Sequence, residues 1–372
     1  MHATLRKLWL TSHRWLALAL GWLLVLAACL GSLLTVAKPL DQWAHPGLFR
    51  QPVTASAPAT APLADVRARL QQEFGAAGFT FRPPRQPGDT LWVYVRGPWD
   101  GIVFFDASGR ELGRRGETEG LYNLLFELHS TLLLGVPGQA LLLAAAGSYL
   151  LLLLTGLVLW WPRRWPPSLR IHWRAGALRC SADLHKTAGA LLGLLIAVSV
   201  ASGAYMAWPP LRALVSSVAG DAPVRVPQPG PPAAAGPAAT LDQMVRTARS
   251  VFPAAMVGYV QVPAAPGQAV RVRLKLPDDP HPNGLSSVWL HPTSGQVLKV
   301  LRWSGLDAGN RLVATVYPLH IGALGGPWHQ VLVGLTGLAL ATLGASGLLL
   351  WWQRRRARQG RALYSARVGR PG

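Results

Sequence analysis

Four stretches of this sequence, Trp15 to Ala37, Leu132 to Trp161, Thr187 to Trp208 and Trp328 to Trp352, contain no Asp, Glu, Lys or Arg. A bilayer core takes about 20 apolar residues as helix, so each stretch meets the length of a transmembrane span. In water each would leave a large apolar surface uncovered. The rest of the chain cannot supply the cover, because only 14% of its 372 residues are charged, against about 25% in an average soluble domain. A soluble enzyme is excluded. The net charge of +20 could be read as a nucleic-acid footprint, but sixteen Trp and the long uncharged runs direct the chain to lipid instead. The second stretch is too long for one straight crossing, and Pro137 is expected to separate an interfacial piece from the span proper.

Basic residues set the orientation. The flank through Arg14, the segment from Arg163 to Lys186 and the tail after Trp352 together hold sixteen basic residues and one acid, Asp183. The segments 38–137 and 209–327 each hold ten basic residues, balanced by ten and five acids. Both termini and the middle loop are therefore expected in the cytoplasm, and the two long segments outside. Trp160, Trp161, Trp351 and Trp352, each pair followed by arginines, fit an aromatic belt at the inner interface. The motif Leu26-Ala27-Ala28-Cys29 resembles a lipoprotein processing site, but the apolar run continues through Leu30, Leu33, Leu34 and Val36, as a retained anchor requires. With only Cys29 and Cys180, neither a disulfide framework nor a thiolate metal cluster is expected.

The chain is a duplicated unit. His13, Gly21 and Gly31 recur as His185, Gly193 and Gly203 with a constant shift of 172. His129, Gly135, Gly156, Trp160 and Trp161 recur as His320, Gly326, Gly347, Trp351 and Trp352 with a constant shift of 191. Each half is one span, an external segment and a second span with a basic exit, so the two pseudo-repeats run parallel. The resulting divisions are a flank and first span (1–37), an external module with an interfacial helix (38–131), the second span (132–162), a basic loop (163–186), the third span (187–208), a linker and second external module (209–327), the fourth span (328–352) and a basic tail (353–372).

Within the external segments, residues 62–74 and 241–252 carry helical periodicity. Strand-like runs follow at 90–95 and 102–106 in the first half, and at 257–262, 270–276 and 287–291 in the second, with turns at 107–109 and 292–295. Both segments read as small α+β modules, and the Pro, Ala and Gly-rich stretch 223–239 reads as a linker.

The repeat also sorts the ten histidines. His13 and His185 fall at equivalent cytoplasmic ends of spans one and three, and His129 and His320 at equivalent external places before spans two and four. Neutral imidazoles on paired helices can hold haem iron from both sides of the porphyrin. Two axial pairs follow, His13 with His185 and His129 with His320, with His329 as the alternative external ligand. His13 and Gly31 are eighteen residues apart and so share one helix face, about 27 Å apart. Arg14 and Lys186, each next to its histidine, and Arg163, Arg164, Arg354 and Arg355 are candidate propionate partners. His2, His45, His172, His281 and His291 have no repeat equivalent and are expected at the surface. No carboxylate or cysteine lies at zinc-site spacing from the four paired histidines.

The segments His13-Arg14-Trp15, Leu128-His129-Ser130-Thr131-Leu132, Thr155-Gly156 through Arg164, Asp183-Leu184-His185-Lys186, Pro318-Leu319-His320 with Gly325-Gly326, and Ser346-Gly347 through Trp352 resemble the PepSY-associated transmembrane helix family over nearly the whole chain. The resemblance implies a membrane α-helical protein of four transmembrane helices in two parallel pseudo-repeats, with two small periplasmic PepSY-like α+β modules. It further implies a bacterial inner-membrane protein of iron uptake, similar to di-haem reductases of ferric siderophores. On that reading the chain carries two haem b groups. Electrons would come from quinol or a cytoplasmic flavoprotein, since no flavodoxin-like sequence occurs in this chain, and would reach a ferric chelate in the periplasm. Two rivals are a non-catalytic regulator or scaffold, which needs no cofactor, and a chelate transporter. The transporter would need polar or broken helices at mid-membrane, where these spans hold only Ser, Thr and Gly.

Overall fold

The computed structural model describes residues 3–52, 61–162, 165–218, 224–230 and 237–368. In chain order the first half forms α1 (Ala3–Ala44), α2 (Pro46–Phe49), α3 (Leu63–Phe74), β1 (Gly78–Arg82), β2 (Leu91–Arg96), β3 (Gly101–Phe105), β4 (Glu111–Gly116), α4 (Leu121–Thr131) and α5 (Val136–Trp160). The second half forms α6 (Ala177–Ala207), α7 (Pro209–Val218), α8 (Leu241–Val251), β5 (Met256–Val262), β6 (Val270–Lys275), β7 (Ser286–Leu290), β8 (Val297–Leu301), α9 (Ala308–His320) and α10 (Gly326–Val368). Two compact units result. A helical unit comprises Met1–Thr35, Leu125–Pro209 and Gln330–Gly372, and a sheet unit comprises Val36–Leu124 and Pro210–His329.

In the helical unit α1, α5, α6 and α10 are long and apolar enough to cross a membrane. The four expected spans are therefore all helices. Their shared core is Leu23 and Leu24 of α1, Ala145 and Tyr149 of α5, and Ile196 and Ala197 of α6, with Leu340 and Leu343 of α10 packed against it. Close approach depends on small residues, as it must where lipid supplies no hydrophobic drive between helices. The Tyr149 hydroxyl donates to the carbonyl of Gly193 at 2.9 Å, and the Ser32 hydroxyl donates to the carbonyl of Gly334, also at 2.9 Å.

The break before the second span differs from expectation. It falls at Leu132 to Gly135, where Leu132, Leu133 and Gly135 all take positive φ (55°, 58° and 61°). Pro137 lies inside the first turn of α5, where its missing N–H costs no hydrogen bond. The piece ahead of the break is α4, which ends at Thr131, two residues after His129.

The sheet unit holds one antiparallel sheet of eight strands in the order β4-β3-β2-β1-β5-β6-β7-β8. Each half contributes a four-stranded meander, and the meanders join where Phe79 and Phe81 of β1 pair with Val262 and Val260 of β5. The two modules read from the sequence thus share one sheet. The physical reason is the edge: an unpaired β1 would expose a row of backbone donors and acceptors beside apolar side chains, and pairing removes that edge. β4 and β8 carry no clear alternation in the sequence, and β4 in particular (Glu-Leu-Gly-Arg-Arg-Gly) is charged and glycine-broken.

Alternation places one face of the sheet under α3 and α8. Phe79, Phe81, Val93, Val95, Val103, Val260, Val272, Leu274 and Val288 are buried there with Val66 and Leu70 of α3 and Met244 and Ala248 of α8. The helices differ at their starts. Thr240 forms a capping box with Gln243 at the head of α8. Pro62 gives α3 no side-chain cap, and Asp242 of α8 takes that role, accepting from the N–H groups of Leu63 and Ala64 at 3.0 and 2.9 Å. Asp242→Ala is expected to destabilise the sheet unit by about 1–2 kcal/mol. Thermal unfolding of the full chain in detergent checks this, with Asp65→Ala, a change in the first turn of the same helix, as the weaker control.

Candidate functional site

The helical unit brings His13 of α1 and His185 of α6 together. Their ring centres are 6.3 Å apart with the planes at 88°. Each ring is held from behind through Nδ1. His185 Nδ1 lies 3.0 Å from the carbonyl oxygen of Leu343 and 3.1 Å from Ser346 Oγ. A carbonyl can only accept, so Nδ1 carries the proton and the Nε2 lone pair is left on the far side of the ring. His13 Nδ1 lies 2.7 Å from Thr155 Oγ1, whose own proton goes to the carbonyl of Leu151 at 2.8 Å. Thr155 therefore accepts from His13, and the same tautomer results. Neither Nε2 has a hydrogen-bond partner among the described residues.

Two glycines lie against these rings. A Cβ on Gly156 would sit 3.4 Å from His13 Cε1, and one on Gly347 would sit 3.2 Å from His185 Cε1. Anything longer would push the rings out of place. Gly156 and Gly347 are the pair related by the shift of 191, and His13 and His185 the pair related by the shift of 172, so equivalent positions make equivalent contacts.

The separation has a chemical meaning. Two imidazoles bound to one metal ion from opposite sides, through bonds of about 2 Å, set their ring centres about 6 Å apart. Hydrogen bonds from Nδ1 to a carbonyl or hydroxyl are the usual outer support of a metal-bound histidine, fixing its tautomer and raising its basicity. Arg14 fits an anionic group nearby. Its guanidinium lies over the Trp15 ring at 5.5 Å, and its buried Nε has no hydrogen-bond partner. Lys186, Arg354 and Arg355 are exposed, while Arg163 and Arg164 lie outside the described residues.

His129 in α4 has the same kind of seat. Its Nδ1 donates to the carbonyl of Ala27 at 3.0 Å, and a Cβ on Gly31 would sit 3.0 Å from its Cε1. The glycine read from the His13 face of the first span thus lies under the other histidine. His320 is the last residue of α9, half-buried, and belongs to the sheet unit, as does His329 in the first turn of α10. The chain turns between them, so they stand on different helices, which the sequence left open.

The remaining histidines divide. His45 pairs with Asp41 at 3.1 Å and His172 with Asp183 at 2.8 Å, both with half-exposed rings. His281 and His291, expected at the surface, are buried instead. Each staples a turn: His281 Nδ1 accepts from the N–H of Asn283, and His291 Nδ1 accepts from those of Thr293 and Ser294. His2 lies outside the described residues. Sequence reasoning missed Thr155 and Ser346 as partners of the ligand candidates. A signal was present, because each hydroxyl directly precedes the repeated glycine, in Thr155-Gly156 and Ser346-Gly347.

No curated protein matches the chain. His13, His129, His185, His320 and His329 and the glycines Gly31, Gly156 and Gly347 all lie inside the region matched by one family model. That model, described as the PepSY-associated TM region, covers residues 10–354, and the chain belongs to this family.

Proposed function

We propose that the chain holds two haem b groups and moves single electrons across the bacterial inner membrane to a ferric chelate, a ferric siderophore foremost, on the periplasmic side. The observation that carries the reading is the His13–His185 pair: rings 6.3 Å apart and perpendicular, both tied back through Nδ1 and both presenting Nε2. Haem, when bound, supplies a reversible one-electron iron couple, the step the protein's own side chains cannot perform.

The residues bind, orient and exclude water. His13 and His185 are the inner ligands, and His129 with His320 the outer ones, with His329 as the alternative to His320. Thr155, Ser346 and the carbonyls of Leu343 and Ala27 fix ligand tautomers. Gly156, Gly347 and Gly31 keep the rings from being displaced. Arg14 and Lys186 are the propionate partners at the cytoplasmic end. The apolar core of Leu23, Leu24, Tyr149 and Ile196 keeps the bundle dry. Quinol or a cytoplasmic flavoprotein is the electron donor, both termini lie in the cytoplasm, and the sheet unit lies in the periplasm.

Reduced-minus-oxidised spectra with haem quantitation on the purified protein test this. Wild type should carry two haems, and His13→Ala and His129→Ala should each remove one. A colourless wild type, or no loss in either variant, would discard the proposal in favour of a cofactor-free regulator.

The glycines give a second check that leaves every ligand in place. Gly347→Leu should displace His185 and cost one haem, or shift its Soret and potential. Gly147→Leu, at a position in α5 where an added Cβ meets nothing within 4 Å, should leave both haems intact.

A further inference from the structure

The second face of the eight-stranded sheet carries a different population from the first. Of the eight strands only β4 contains an acid, Glu111. Alternation puts Arg82 of β1, Trp92 and Tyr94 of β2, Tyr259 of β5, Arg271, Arg273 and Lys275 of β6, and Trp289 of β7 on the face away from α3 and α8. Arg85 joins them from the turn after β1. Arg85 and Arg273 flank the Tyr259 ring, their guanidinium carbons 5.9 and 5.8 Å from its centre, and Tyr94 meets Tyr259 edge to face at 6.2 Å. Arg271 lies over Trp289 at 4.9 Å.

No acid closes an ion pair with Arg82, Arg85, Arg271, Arg273 or Lys275 among the described residues, and Asp89 and Asp279 act on Arg85 and Arg273 only from nearby. The two nearest carboxylates are committed elsewhere. Asp89 pairs with Arg50 at 3.0 Å and accepts from the N–H groups of Arg85 and Gln86, and Asp279 accepts from those of His281, Leu285 and Ser286. Arg85 Nε is buried without a partner. Like charges gathered in a half-buried cluster repel, and burial with Arg273 beside it pulls Arg271 down to about 10. Burial, then Arg273, Lys275 and Arg85, pulls His281 to about 3, so it adds no further charge. Burial and Tyr259 push the Tyr94 hydroxyl far up, so it remains a donor.

The cluster reaches the proposed outer ligand through α9. Tyr317 stacks on His281, ring centres 5.0 Å apart and planes at 17°, and it precedes His320 by three residues, about one helical turn.

We infer that this Arg85–Arg271–Arg273–Tyr94–Tyr259 face is the binding site for the acceptor, and that it selects a ferric chelate that is anionic and oxygen-rich, of the catecholate or hydroxycarboxylate class, over a neutral trihydroxamate. Arg271 bonds Ser287 Oγ, Arg273 the Gly284 carbonyl and Arg85 the Asn283 Oδ1, so the guanidinium groups offer ligand oxygens their positive charge and the N–H groups left over from those bonds, and the tyrosine rings offer apolar surface to catechol rings. The inference rests on the ferric-chelate reading above and adds the charge class.

The test uses the full chain in detergent, oxidised and without reductant. The probes are the trianionic gallium(III) complex of a hexadentate tricatecholate, which cannot be reduced, and a neutral gallium(III) trihydroxamate, with tryptophan fluorescence as the readout and haem quantified on each sample. The anionic complex should bind at least about tenfold tighter than the neutral one, and Arg271→Gln/Arg273→Gln should weaken it by roughly tenfold or more with haem unchanged. Arg271→Lys/Arg273→Lys, which keeps the charge but not the guanidinium, should bind the anionic complex more tightly than the Gln pair and guards against misfolding of that pair. Equal binding of the two probes, or no effect of the Gln pair, overturns the inference. Loss of one haem in both double variants also overturns it, since the arginines would then hold propionates. A wild type without haem fails the electron-transfer reading itself, an outcome seen in the spectrum before any probe is added.

Discussion

A histidine inside an apolar helix bundle has two ring nitrogens to satisfy and few groups to satisfy them with. That constraint organises the helical unit. Helix carbonyls are already used by their own ladders, so a second acceptor role falls to a carbonyl such as Leu343 or Ala27, or to a hydroxyl such as Thr155. Each brings the imidazole up to a helix backbone, with a glycine under the ring, and the approach is tightest at Gly31 and Gly347. Once Nδ1 is engaged as a donor, Nε2 of His13 and of His185 becomes the acceptor of each ring. A metal centre between the two rings would meet both at once.

The sheet unit obeys a separate constraint, that of the exposed edge. Each half supplies a meander whose first strand carries an apolar face, and neither could leave that strand unpaired without cost. The junction of β1 with β5 covers both edges and lets α3 and α8 close over one continuous core. The cross-module cap from Asp242 to the head of α3 follows from that closure. The other face of the sheet collects arginines and tyrosines, because alternation sends there every strand residue that the apolar core does not take.

Much of this was legible in the residues. Uncharged length marked the four spans, and α1, α5, α6 and α10 cover them. The shifts of 172 and 191 singled out His13, His185 and the glycines, which do meet as equivalent pairs. The places where the reading fell short have local causes. The turn at Leu132 to Gly135 depends on positive φ at two leucines, which no propensity announces, whereas Pro137 is the visible helix breaker in that stretch. His281 and His291 lack repeat partners because each serves a turn peculiar to its place, accepting backbone N–H groups two or three residues on.

The sequence by itself determined the class of protein, its four spans and the identity of the histidines, because those rest on periodicity, length and charge counted along the chain. Only the tertiary structure decided which hydroxyl or carbonyl stands behind each imidazole, which glycine lies under it, and that two modules share one sheet. Hydrogen-bond direction and edge pairing depend on residues far apart in sequence, such as His185 with Leu343 or Phe81 with Val260. No local pattern encodes a contact that exists only once separate helices and strands have been packed together.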